Sequence, residues 1–192
     1  FVDYFVENTQ LVVTTNNLQI TGRDTINIIG DLTIENGKYE VDLNRLRKNI
    51  YLASTEINAE RAIDWNLEIN IPDNFIISSS SLDLVNNFEL EISGNLRAIQ
   101  EPNAPNMELT GHVEILSGQY VAFGQNFEIQ QGSIDFSTPQ KINPSIEIFA
   151  EKETGNYTVE LVYFGPADGP FTDCDVTISD GLGLLAPYEV SL

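Results

Sequence analysis

Across 192 residues the chain carries 29 Asp and Glu against 9 Lys and Arg, a formal net charge of −20, with 42% hydrophobic residues. That balance repels phosphate backbones and anionic membrane surfaces, so nucleic acid is not an expected partner. A single cysteine, Cys174, excludes an internal disulfide framework and a thiolate zinc site, and no run of eighteen apolar residues offers a membrane-crossing helix.

The chain opens on Phe1 rather than Met, so a fragment or a processed product is expected, with any signal or anchor outside it. The first clear run of alternating apolar residues is Leu32-Ile34, followed by Asn36-Gly37. Residues 43–54, "LNRLRKNIYLAS", read differently: Leu43, Leu46 and Ile50 recur at helical spacing, and Arg45, Arg47 and Lys48 hold a third of the basic charge. One short helix, or an irregular cover, is expected there.

Alternation resumes at Trp65-Leu67-Ile69-Ile71, ahead of Pro72-Asp73-Asn74, and again at Phe88-Leu90-Ile92, ahead of Ser93-Gly94. Residues 100–106, "QEPNAPN", read as a loop. Beyond it come Met107-Leu109, Val113-Ile115, Phe127-Ile129, Ile134-Phe136, Ile146-Ile148 and Val159-Leu161-Tyr163, with Ser117-Gly118 and Gln131-Gly132 between some of them. Residues 165–170, "GPADGP", read as a second loop.

A period of two places every second side chain on one face of a strand. The intervening positions are mostly Glu, Asp, Asn, Thr or Gln, so the expected sheet is all-β and antiparallel, with one apolar face and one acidic, solvated face. Taken as turns, the Gly and Pro signals divide it into a meander of about thirteen short strands. An internal echo supports this: Gly30, Gly37 and Tyr39 in "GDLTIENGKYEV" match Gly111, Gly118 and Tyr120 in "GHVEILSGQYVA".

The inventory of reactive groups is nearly empty. His112 is the sole histidine and follows Gly111 on the polar side of its strand, so a catalytic triad has no base to run through. Cys174 lies between Asp173 and Asp175, a setting that works against a reactive thiolate. Carboxylates are too numerous for any pair to signify glycosidase chemistry. The stretch "DCDVTISDG" lacks the ligand order of a calcium loop, and "NYT" from Asn156 is a glycosylation sequon by pattern alone. Gly181-Leu182-Gly183 lacks the third glycine of a phosphate-binding turn. No enzyme, metal or cofactor is expected.

The stretch "GHVEILSGQYVAFGQNFEIQQGSIDFSTPQKINPSIEIFAEK" resembles the C-terminal domain of TamB, the AsmA-like protein of the translocation and assembly module. The resemblance rests on Gly111, Gly118, Tyr120, Gly124, Gln125, Ile129, Gly132, Ile134, Phe136, Asn143, Pro144, Ile146, Ile148 and Ala150, in order. It is best over residues 65–150, extends upstream towards Gly30, and is weaker over 164–192.

The resemblance implies one elongated β domain over residues 1–192, part of a larger protein. Its sheet would be curled into an open trough, a β-taco, with an apolar inner face. It implies the periplasm of a diderm bacterium, with the parent chain anchored in the inner membrane. The expected function is a segment of a bridge carrying phospholipid acyl chains towards the outer membrane. The lining would be Phe88, Leu90, Ile92, Leu109, Val113, Ile115, Tyr120, Phe127, Ile129, Ile134, Phe136, Ile146 and Ile148, with ordinary core packing as the plain alternative. The rival function is an assembly factor whose edge strands bind outer-membrane barrel proteins, or a partner of the TamA or barrel-assembly type. Self-association through an exposed groove is a further expectation.

Overall fold

The computed structural model describes residues 9–40, 62–79, 87–102, 104, 107–122, 124–137, 142–167, 174–179 and 184–188. The helix expected near 43–54 lies outside these residues, and every regular element among them is a strand. Four come first: β1 (Thr9–Thr14), β2 (Gln19–Thr21), β3 (Thr25–Glu40) and β4 (Ala62–Ser79). β5 (Asn87–Gln100), β6 (Glu108–Ala122), β7 (Gln125–Phe136), β8 (Ser145–Thr154) and β9 (Tyr157–Pro166) form the middle of the chain. β10 (Cys174–Ser179) and β11 (Leu184–Tyr188) complete it.

All eleven join one open sheet in the order β1-β3-β4-β5-β6-β7-β8-β9-β10-β11, with β2 beside β1 along the same edge of β3. From β4 onward each strand pairs with the next in sequence, antiparallel, as a chain of adjacent alternating runs should. The β3–β4 pair is parallel, a departure from the all-antiparallel expectation. The 21 positions between those two strands are long enough for the crossover that a parallel pair requires.

Among the described residues there are eleven strands, and most of the Gly signals fall inside them rather than between them. β3, β4 and β6 run for 16, 18 and 15 residues, straight through Asn36-Gly37, Pro72-Asp73-Asn74 and Ser117-Gly118. Ser93-Gly94 and Gln131-Gly132 lie likewise within β5 and β7. These positions mark irregularities in the ladder, one regular role of glycine within a strand.

The irregularities line up. The ladder slips between Val12 and Val13 on β1, across residues 34–36 of β3 and across 72–74 of β4. The line continues at Leu116 on β6 and at Gln130 on β7. A transverse row of bulges thus crosses the sheet from β1 to β8.

Each bulge resets which residues share a face. On β6 the apolar side holds Val113 and Ile115, then skips Leu116-Ser117 to Gly118 and Tyr120. The same three-residue step takes β7 from Ile129 to Gly132. Leu116 is accordingly 45% exposed, whereas Ile115 beside it is 5% exposed. The echo between residues 30–39 and 111–120 is this same device in two strands. Gly30 and Gly111 both adopt positive φ, +154° and +132°, where backbone comes too close for a Cβ, that of the β1–β2 connection at Asn17-Leu18 for Gly30 and that of β5 at Asn95-Leu96 for Gly111.

Candidate functional site

The apolar face is built by register. Trp65, Leu67, Ile69, Ile71, Phe75 and Ile77 of β4 pair on one side of the sheet with Gln100, Ala98, Leu96, Gly94, Ile92 and Leu90 of β5. β6 continues the rows with Leu109, Val113, Ile115 and Tyr120, β7 with Phe127, Ile129, Ile134 and Phe136, and β8 with Ile146, Ile148 and Ala150. Leu161 and Tyr163 extend them on β9.

Eleven of the thirteen residues expected in the lining meet in one apolar cluster. Leu90, Ile92, Val113, Ile115, Phe127 and Ile129 form its buried centre, and Phe88, Tyr120, Ile134, Phe136 and Ile148 pack half-buried around them. Leu109 and Ile146 share the face and are half-buried, but stand outside the cluster. Sequence reasoning left out Ile71, Ala150 and Leu161, all buried at the centre. Ile71 and Leu161 belong to alternating runs that were visible in the sequence, and Ala150 ends the run begun by Ile146, so the signal was present.

Volume alternates across the rows. Gly118 lies between Leu90 and Ile129, and Gly132 between Ile115 and Ile148. A Cβ on Gly118 would stand 2.9 Å from Leu90 Cδ2 and 2.6 Å from the carbonyl oxygen of Glu89. Glycine is therefore the residue that lets large neighbours close over the row. Two polar atoms at the margins of the face are buried without a hydrogen bond, Trp65 Nε1 and Ser79 Oγ.

The opposite face gathers the charge. Outside the bulges and loops, every described carboxylate has the register of this face, including Glu68, Glu89, Glu91, Glu114, Glu128, Asp135, Glu147, Glu151 and Glu160. His112 is here as expected, exposed, with Nδ1 2.6 Å from Asp135 Oδ1 on the neighbouring strand. Lys38 meets Glu89 at 3.4 Å, and Arg97 Nε donates to Asn66 Oδ1 at 3.1 Å.

Two concavities also open mostly on this side. One is bounded by Asp31, Glu68, Asn95, Arg97 and Thr110, the other by His112, Glu114, Gln131, Ser133 and Glu147. Both are shallow, and in the second the Nδ1 of His112 is engaged by Asp135. No group of three or more His, Cys, Asp or Glu among the described residues is placed to hold a metal ion.

Two further sequence readings are now placed. Residues 174–179 of "DCDVTISDG" form strand β10, with Cys174 opposite Tyr163. Asn156 sits exposed in the two-residue turn between Thr154 and Tyr157 that joins β8 to β9.

Residues 48–180 match the family model described as the TamB C-terminal domain, well over half of the chain. The chain belongs to the TamB C-terminal domain family. No individual curated protein matches it. The matched span covers β4 to β10, so most of the face described above lies within it. Membership carries an association with the translocation and assembly module and with outer-membrane biogenesis, in a family that is generally non-catalytic.

Proposed function

We propose that this TamB domain is a segment of a periplasmic bridge, anchored through its parent chain in the inner membrane, that carries phospholipid acyl chains along its apolar face. The observation that carries the reading is the segregation of the two faces. Apolar side chains run without a carboxylate from β3 to β9, and the paired strands supply no second layer of sheet to cover them. A filled sandwich would need such a layer.

The transverse row of bulges supports a trough, since each bulge bends its strand and increases the local twist. So does the burial of the central residues, from 0% exposed for Ala150 to 7% for Leu90. In a single sheet, that burial calls for side chains of one face to close on one another. Each methylene buried is worth roughly 0.8 kcal/mol, so an acyl chain of about sixteen carbons gains on the order of 10 kcal/mol along a continuous lining. Ten strands at about 4.8 Å spacing give a path of about 45 Å, so a lipid needs further segments in series.

A second reading keeps one observation of its own. Among the described residues, β1 ends the sheet with no strand on its outer side, and Leu11, Val12 and Val13 are exposed on it. An edge of that kind can accept a further strand, from the same parent chain or from a barrel partner such as TamA.

Native mass spectrometry with lipid extraction separates the two readings. The wild-type chain is expected to retain phospholipid, and the pair Ile134→Asn with Phe136→Asn, both half-buried, to lose it while keeping the wild-type β circular dichroism. A wild-type chain free of lipid, binding only extended peptide, would favour the edge.

A further inference from the structure

Among the described residues, the apolar face carries one cation. Ile146, Ile148 and Ala150 alternate onto it along β8, and the unbroken β8–β9 ladder continues that alternation to Lys152, opposite Val159. The other described basic side chains are elsewhere: Lys38 and Arg97 lie on the acidic face, and Arg23 precedes β3. Ammonium groups are costly on an apolar surface unless the stem lies along it and the head reaches polar company. Here the Lys152 ammonium donates to Oε1 of Gln125, an exposed residue at the start of β7.

The place in the sheet gives this pair a meaning. Phe88, Tyr120 and Phe127 form a row of paired residues that closes the lining at one end, and Lys152 lies one step beyond the Glu128–Glu151 pair, in line with Phe127. The neighbouring row, Ile77, Leu90, Gly118, Ile129 and Ala150, carries no polar side chain. The cation therefore marks the boundary where apolar lining gives way to water, on a chain whose net charge of −20 otherwise repels phosphate.

We infer that Lys152, with the Gln125 amide beside it, is the contact for the phosphate of a lipid whose acyl chain lies along the lining. The inference rests on the lipid-carrying reading and adds the headgroup chemistry to it. A charge-assisted hydrogen bond to phosphate at a half-exposed site is expected to give roughly tenfold in affinity.

The test compares two ligands with the same sixteen-carbon chain, lysophosphatidic acid and the uncharged monoacylglycerol, titrated below their critical micelle concentrations against the full 192-residue chain. The wild type should prefer the phosphate ligand about tenfold. Lys152→Met should reduce that preference to within about twofold without changing monoacylglycerol binding. Lys152→Arg should restore it, and Lys38→Met on the acidic face should leave it intact. A preference that survives Lys152→Met, or that the wild type lacks, overturns the inference while the lining reading stands. Binding of neither ligand overturns both. If millimolar inorganic phosphate abolishes the preference, the cation reads free phosphate, and the assignment to a lipid headgroup falls.

Discussion

Ile115 and Leu116 are adjacent residues of nearly equal hydrophobicity with opposite fates, because the bulge at Leu116 turns that side chain out of the apolar face. Ile115→Asp places a carboxylate among Ile92, Val113 and Gly132 and is expected to cost roughly 3 kcal/mol or more. Leu116→Asp should stay within about 0.5 kcal/mol of wild type. Urea unfolding of the two variants measures the difference directly, and equal losses would mean that the bulge does not set the faces. Which residues alternate was legible from the sequence alone, and so most of the apolar cluster was found. The phase of the alternation after Ser117 was not, because a polar residue followed by glycine reads equally well as a turn between strands or as a bulge within one. Lys152 was missed for a related reason. It follows Ile146, Ile148 and Ala150 in step, but a lysine at the end of an apolar run looks like the end of the run.

At the scale of strands, pairing brings like charges together on the acidic face. Glu128 of β7 lies opposite Glu151 of β8, which in turn lies opposite Glu160 of β9. Thr177 Oγ1 donates to Glu160 at 2.8 Å and relieves only the last of them. Directly opposed like charges destabilise a sheet, and opposite charges favour it. Glu151→Lys is therefore expected to raise stability, by roughly 0.2–1 kcal/mol. A higher midpoint in urea at low ionic strength, shrinking as salt is added, checks both the register and its electrostatic origin. The long strands themselves were hidden in the sequence by their own glycines. Gly37, Gly118 and Gly132 each follow a bulge and lie beneath a large neighbouring side chain, so spatial crowding from another strand, which no local pattern encodes, decides their role. The parallel β3–β4 pair was equally illegible, since it depends on a connection of 21 positions rather than on either strand's pattern.

At the largest scale, the described residues place eleven strands in one open sheet, apolar on one face and carboxylate-rich on the other, within a family tied to outer-membrane biogenesis. The proposed function requires that the apolar face, and not the acidic one, meets phospholipid. Strand alternation supplies the test its own control, because neighbouring residues differ in face and in little else. A photoreactive amino acid is placed in turn at Ile134 and Ile146, on the lining, and at Ser133 and Glu147, their neighbours on the acidic side, and the chain is irradiated with radiolabelled phosphatidylethanolamine. The account predicts lipid adducts at Ile134 and Ile146 and none at Ser133 or Glu147. Equal labelling of both faces, or no adduct at any of the four positions on a folded chain, would contradict it.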